Sequence, residues 1–451
     1  MSDPSPVSAT DQPPTVPVTL EYQQPQIGQQ YRYWRFRLLF TSLVGYAVFY
    51  FVRTNISVPL PVMGRKLHYS KEELGIILTA GGVTYGVSKF LNGFLGDWAN
   101  PRYFMTIGLL ACAGMNVAFG MSSSLILLTS FWVLNNWAQG MGFPPCAKTM
   151  GYWFSPKERS TTFGIWHTSH TIGAFIISVL TGYLIHYFGN WRLCFFVPAG
   201  IAVGMSIFLF LSLRDTPESM GLPPVEVYKG EESAEQLAAQ PSQAESYWSV
   251  VWKYVLTNKY MWIISIANLL VYTLRSASAS WGPTFLQELK HVSPLASGWM
   301  TGCFELCGML SALLAGYVAD HWFGGRAGRV CVIAMTAMTV IVYAFWRTAP
   351  SHPVSICVLF LGMGFMIYVP QMLIAAMAMN LATKRAAAAA VGMTGIFGYA
   401  STIVSGVGLG GIVDRSGWNG AFILLIAVSA ATAALMLLTW NVGAHTEPEE
   451  L

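Results

Sequence analysis

Twelve stretches of this chain are apolar enough to cross a lipid bilayer as helices: near 37–60, 73–96, 103–122, 125–150, 160–186, 191–212, 260–288, 296–320, 329–347, 353–380, 388–413 and 419–441. About 20 apolar residues match the hydrocarbon thickness, and inside it every backbone group must find its partner within the protein, so continuous runs of this kind form helices. Composition closes the alternatives. Of 451 residues only 10% are charged and 54% are hydrophobic, with a mean hydropathy of +0.49, whereas a soluble domain is about a quarter charged. The 25 Lys and Arg and 21 Asp and Glu are too few to cover a water-soluble protein of this length. A cytosolic enzyme, a secreted disulfide scaffold and a disordered chain are excluded. The expected fold class is an all-α membrane protein with twelve transmembrane helices, and its first partner is the lipid bilayer.

The net charge of +4 is scattered in short clusters, so no basic stripe suited to nucleic acid is present. The seven cysteines fall in apolar or small-residue stretches without zinc spacing, and Cys303 and Cys307 read as small packing residues on one helix face. No metal or cofactor is expected. The first 30 residues, rich in Pro, Gln, Ser and Thr and without an apolar core, do not read as a signal peptide. They read as a disordered tail, followed by a six-helix bundle over 31–212, a polar central loop over 213–258, a second bundle over 259–442 and a tail over 443–451.

Twelve crossings put both termini on one face. That face carries Arg32, Arg35, Arg37, Arg102, Lys157, Arg159, Arg214, Lys229, Lys253, Lys259, Arg326, Arg329, Lys384 and Arg385. Against them stand Arg65, Lys66, Lys71, Arg192, Lys290, Arg347 and Arg415. The excess of positive charge predicts a multi-pass plasma-membrane protein, in a bacterium the inner membrane, with both termini and the central loop cytoplasmic.

The two halves repeat one another. Tyr50-Phe-Val-Arg53 in span 1 returns as Tyr272-Thr-Leu-Arg275 in span 7, an offset of 222 (272 − 50). Gly140-Met-Gly-Phe143 in span 4 returns unchanged as Gly362-Met-Gly-Phe365 in span 10, again 222 apart (362 − 140). Gly93-xxx-Asp97 closes span 2 as Gly316-xxx-Asp320 closes span 8, each followed by basic residues: Arg102 in one half, Arg326 and Arg329 in the other. These five residues are assigned to gating and structure, the carboxylates pairing with arginines or a helix N-terminus across the loop. Placed at equivalent spans in both halves, the pair resembles the loop signature of the major facilitator superfamily. Carriers built from such repeats bind substrate near the midplane between halves that rock against each other.

Arg53 and Arg275 lie mid-span, where a guanidinium costs from a few to over ten kcal/mol unless it faces protein, water or a partner. Span 1 offers no carboxylate, and Glu305 in span 8 is the main candidate elsewhere. Two arginines and one acid leave a surplus positive charge, which points to an anion site. Arginine presents a planar fork of donors that fits phosphate or carboxylate oxygens. Lys89 is a third intramembrane cation and His170 a further donor or proton acceptor, with His167 beside it. Around them stand Tyr46, Tyr50, Tyr85, Tyr272, Trp166, Tyr368 and Gln371. Pro144-Pro145 and Pro370 would break their helices beside a central pathway. No nucleophile elbow, metal motif or carboxylate pair suggests an enzyme.

Tyr50-x-x-Arg53 with Asn55, Tyr85-Gly-Val-Ser-Lys89-Phe, Gln139-Gly-Met-Gly-Phe-Pro-Pro-Cys146, Trp166-His-Thr-Ser-His170-Thr-Ile-Gly173, Tyr272-Thr-Leu-Arg275 with Trp281, and Tyr368-Val-Pro-Gln371 together resemble the organophosphate:inorganic phosphate antiporters. The resemblance runs over residues 31–442. That family holds glycerol-3-phosphate, hexose-phosphate and phosphoglycerate transporters and a membrane sensor of glucose 6-phosphate. It implies an organophosphate and inorganic phosphate as partners, with a membrane kinase only if the chain is a sensor. It implies phosphate binding by Arg53 and Arg275, with Lys89, His170, Gln139 and Trp166 along the path. Thr54 replaces a lysine that several members carry, Phe143 replaces the tryptophan of glycerol-phosphate carriers, and Val391 and Thr394 replace an Asp/Lys pair of hexose-phosphate carriers. The uncharged span 11 and the Tyr-Val-Pro-Gln stretch lean toward a phosphoglycerate-like pattern.

Overall fold

The computed structural model describes residues 25–230, 249, 251–382 and 387–442. Span 1 is formed by Pro25–Phe51 and, after an opened stretch, Leu60–Leu67. Spans 2 and 3 are Lys71–Trp98 and Pro101–Met121. Span 4 is divided into Leu125–Gln139 and Phe143–Trp153, and spans 5 and 6 are Pro156–Phe188 and Leu193–Ser212. In the second half, span 7 is Lys259–Thr284, running into a wide π turn, Phe285–Leu289. Spans 8, 9 and 10 are Pro294–Phe323, Ala327–Arg347 and Pro353–Leu381. Span 11 starts as Ala387–Ile403, continues through the π turn Val404–Gly408 and enters Leu409–Leu437. Gly417, at φ 66°, interrupts that last helix; the positive φ suits a residue without Cβ, and span 12 begins there.

Local chemistry sets the starts. Ser70 and Glu73 make a reciprocal capping box for span 2, and Asn100 with Pro101 starts span 3. Ser293 with Pro294 starts span 8. Each supplies acceptors for orphan N–H groups or a residue lacking one.

Eight of the described helices are long and apolar enough to cross a bilayer, and the one over Ala389–Leu437, 49 residues, would measure about 74 Å if straight and so holds two crossings. Spans 1, 4 and 7 fall outside that set. Span 1 opens at 52–59, span 4 opens at Gly140–Gly142, and span 7 carries Asn268, Arg275 and several Ser and Thr. Both spans that carry the repeated arginine, 1 and 7, are therefore among the three weakest. Around the bundle, large apolar side chains such as Ile126 and Val354 point outward and exposed, as lipid-facing residues do.

The halves meet along two seams, span 2 against span 11 and span 5 against span 8. Backbones touch there: a Cβ on Gly75 would stand 2.5 Å from the Gly406 carbonyl, and one on Gly298 2.5 Å from the Ser178 carbonyl. The seams are tightest on the face away from the N-terminus. Asp414 accepts from the backbone N–H of Lys71 and Glu72 at 3.0 and 2.7 Å, Lys71 Nζ lies 2.5 Å from Glu288, and Gln287 Nε2 donates to the Val58 carbonyl at 3.2 Å. The molecule is latched shut on that face, expected to be the outer one from the charge distribution.

At the opposite face, the first part of the central loop is a strap bound to the N-terminal bundle. Trp153 Nε1 donates to the Asp215 carbonyl at 2.8 Å, Lys148 pairs with the Asp215 carboxylate at 3.1 Å, and Tyr31 stacks on Tyr228 at 4.1 Å while donating to the Pro223 carbonyl. Glu158 pairs with Arg35 and, at 3.5 Å, with Lys229. Partial burial works to raise the Glu158 carboxyl, but the hydrogen bond and charge of Arg35 outweigh it and hold it below its usual value. The first helix begins at Pro25, inside the stretch read as tail; residues 1–24, 231–248 and 443–451 lie outside the described residues.

Candidate functional site

Arg53 does not sit within a helix. Pro59 and Pro61 have no N–H to offer the carbonyls of Asn55 and Ser57, and the helix opens after Phe51. The Arg53 N–H turns from the Phe49 carbonyl to that of Tyr50, at 3.2 Å, which it shares with the Thr54 N–H at 3.0 Å. The guanidinium rests on the Tyr85 ring at 3.6 Å and near the Tyr50 ring at 5.1 Å. Such cation–π contacts contribute about 0.5–2 kcal/mol and leave the N–H edges of the cation free.

Arg275 stands on the unbroken helix of span 7. Its Nη2 donates to the Tyr368 hydroxyl at 3.0 Å, and that hydroxyl donates in turn to Glu305. The direct Arg275–Glu305 separation is 4.0 Å, so the phenol stands between acid and base. Arg275 Nε is buried without a hydrogen-bond partner. Glu305 thus compensates the charge of Arg275 without occupying its donors.

Both arginines line one cavity of ≈ 170 Å³. Tyr50, Tyr85, Tyr272, Glu305 and Tyr399 share its wall with them. Lys89 lies beside the cavity, its Nζ 3.4 Å from the Tyr399 hydroxyl and 4.9 Å from the Phe143 ring. The His170 ring packs 5.5 Å from that of Tyr50 and 4.5 Å from that of His167; its Nδ1 contacts the His167 carbonyl. His167 is exposed.

The structure does not bring every expected residue to the wall. Gln139 is buried behind it, donating to the Phe49 carbonyl at 3.0 Å. Tyr46 and Trp166 are buried one layer back, their rings 4.8 Å apart, and support Tyr50 and Phe143. Tyr399 went unremarked in the sequence; a lone tyrosine in the small-residue run Gly398-Tyr-Ala-Ser401 was the available signal.

Among the gating residues, the side chain of Asp97 lies outside the described residues. Arg102 Nε donates to the Phe210 carbonyl at 2.5 Å and its guanidinium covers the Phe210 ring, so its contact is with span 6. Asp320 is exposed and lines a small groove with Ala327, the first residue of span 9, and Asn380. Arg329 donates to the Trp440 carbonyl at 3.1 Å, and Arg326 is exposed at the turn before span 9. Among the described residues, no group of three metal-ligating side chains gathers.

A sequence profile described as the Major Facilitator Superfamily matches residues 42–406 and 265–450. A probable hexose phosphate transport protein of Chlamydia pneumoniae is 37% identical over 95% of this chain and 96% of its own length. The glycerol-3-phosphate transporter of Bacillus subtilis is 37% identical over 92% of this chain and 95% of its own.

The chain belongs to the organophosphate:inorganic phosphate antiporter family of the Major Facilitator Superfamily.

A membrane sensor protein of Escherichia coli, UhpC, is also similar, at 35% identity over 92% of this chain and 93% of the sensor. Among solved structures, an inward-facing bacterial homologue of the human lysosomal transporter Spinster shares the fold, with a TM-score of 0.69 at 16% identity over 90% of this chain and 95% of its own. The superfamily architecture accounts for the twelve helices and the two seams, and it makes the site a meeting of two repeats, with one arginine from each.

Proposed function

We propose that this protein carries an organophosphate across a bacterial inner membrane in exchange for inorganic phosphate, its termini and central loop on the cytoplasmic side. One observation supports the reading above all others. Two guanidinium groups, one per half, line a single cavity whose wall holds one carboxylate, Glu305 beside Arg275. A phosphate dianion supplies the missing negative charge and accepts from both forks, the geometry for which arginine is suited.

Exchange follows from electrostatics. Unit charges 4 Å apart interact by about 4 kcal/mol at an effective dielectric of 20, so closing the empty cavity around two arginines and Lys89 is unfavourable. Bound phosphate removes that penalty, and the halves then rock between the two facing states. The outer latch at Asp414 and Glu288 holds the empty carrier open toward the cytoplasm. Hydroxyls of Thr54, Ser276, Ser280 and Tyr399 on the wall suit a phosphorylated polyol such as a sugar phosphate, glycerol phosphate or phosphoglycerate.

Phosphate-loaded proteoliposomes challenged in turn with glycerol 3-phosphate, glucose 6-phosphate and 3-phosphoglycerate test this. Release of phosphate by one of them is the expected result; release by none contradicts the reading. The likeness to a sensor protein favours one alternative, a receptor that binds a sugar phosphate and passes the signal to a membrane kinase through the strap. Counterflow of labelled phosphate separates the two, because a receptor binds with little flux.

A further inference from the structure

Where span 1 opens, two carbonyls lose their helical donors. Phe49 O loses the Arg53 N–H, which turns to Tyr50, and Val52 O lies at the start of the stretch 52–59. Carbonyls left bare at membrane depth are tolerated only when other protein groups satisfy them. Side-chain amides from other spans do so here. Gln139 Nε2 donates to Phe49 O at 3.0 Å, while Asn116 Nδ2 and Asn135 Nδ2 both donate to Val52 O, at 3.1 and 2.9 Å. The amides are also tied to each other. Asn116 Nδ2 reaches Asn135 Oδ1 at 3.0 Å, and Asn55 Nδ2 donates to Asn116 Oδ1 at 2.9 Å and to the Cys194 carbonyl of span 6 at 2.8 Å. All four side chains are buried, none more than 3% exposed.

The other half has the same arginine and no such knot. At the repeat offset of 222, Asn55, Asn116, Asn135 and Gln139 become Ala277, Met338, Cys357 and Leu361, and Pro59 becomes Trp281. There the helix runs unbroken through Arg275. The break and the amides therefore occur together, and Arg53 follows directly on the clamped Val52, two residues before Asn55.

We propose that Asn116, Asn135 and Gln139, with Asn55, form a clamp that holds span 1 open and aims Arg53 into the cavity. They are positioning residues for phosphate binding, and spans 3, 4 and 6 thereby set the geometry of the anion site. The phosphate part of this inference rests on the function proposed above; the clamp itself does not.

Two readouts test it. Asn116→Leu and Asn135→Leu each leave Val52 O one donor, and the double variant leaves none. In proteoliposomes the double variant is expected to raise the KM for phosphate at least about 10-fold while turnover at saturation stays within about threefold, with smaller effects in the singles. Ser206→Ala, which removes a buried hydroxyl bonded only to its own helix at Ala202 O, is expected to leave KM unchanged. The second readout needs no transport. With the partly buried Cys303, Cys307 and Cys357 replaced by serine, an Arg53→Cys thiol is titrated with a small water-soluble thiol reagent, with and without the clamp. Loss of the clamp is expected to change its labelling rate about 10-fold. A folded double variant with KM within twofold of the parent and an unchanged labelling rate overturns the proposal. If the double variant fails to reach the membrane, the same comparison in Asn135→Leu decides. If the parent neither binds nor exchanges phosphate, the carrier reading falls and the labelling rate alone decides the clamp.

Discussion

In the N-terminal half, Arg53 stands on an opened turn, held from behind by backbone-directed amides and covered in front by the Tyr85 ring at 3.6 Å. In the C-terminal half, Arg275 stands on a continuous helix and is steered through a phenol toward a buried acid 4.0 Å away. One cation is placed by the shape of its backbone, the other by a side-chain counter-charge. A repeat that duplicates a ligand need not duplicate what positions it. The difference also divides the electrostatics, since Glu305 lowers the net charge at Arg275 and no carboxylate does so at Arg53 among the described residues. A mobile anion is therefore needed most on the Arg53 side.

The largest effects are expected at the shared ligands. Arg53→Lys and Arg275→Lys keep the charge but lose the fork; two charge-assisted hydrogen bonds contribute about 3 kcal/mol or more, so phosphate exchange falls about 100-fold or more in each. Retained exchange in either variant would remove that half from the site. Next comes Tyr368→Phe, which touches the C-terminal half alone. Without the hydroxyl, Arg275 and Glu305 can close on each other, and competition by the acid raises the KM for phosphate about fivefold, the worth of about 1 kcal/mol. An unchanged saturation curve would show that the phenol does not hold them apart.

A smaller shift is expected at the outer latch. Asp414→Asn weakens an acceptor at the N-terminus of span 2, worth about 1 kcal/mol, and moves the population toward the outward-open state about fivefold. A Ser57→Cys thiol, on the cavity wall, should then react faster with an impermeant reagent added from outside. The smallest effect is at the strap. Glu158 titrates below its usual value because of Arg35, so its stabilisation is present at neutral pH and is lost as pH falls below about 4, through the depressed value. Because the pair is partly exposed, Glu158→Gln should cost about 1 kcal/mol or less, read as a slightly lower melting temperature and faster proteolysis of residues 213–230 at pH 7, with the difference vanishing in acid.

Much of this was legible in the residues alone. Apolar runs of helical length, one repeat offset and two misplaced arginines gave twelve spans, two halves and one residue from each half at the site. The break in span 1 was not read, because a hydropathy average runs straight through 52–59; Pro59, Pro61 and Asn55 were its markers. The direction of Gln139 was hidden for a related reason. Its partner is a carbonyl freed by that break, 90 residues away, and no local pattern records such a pairing. Lys148, counted within span 4, proved to sit at that span's strap end against Asp215, a partner in the loop that only the packing of the strap reveals.

The account turns on one anion gripped by both halves at once. Equilibrium binding of labelled phosphate to the purified carrier, to Arg53→Ala, to Arg275→Ala and to the double variant tests that most directly. If both guanidiniums hold the same phosphate, each single variant loses about 100-fold or more in affinity, and the double variant loses little beyond either single. If either single variant binds phosphate as tightly as the parent, the arginines do not share one ligand and the central claim is wrong.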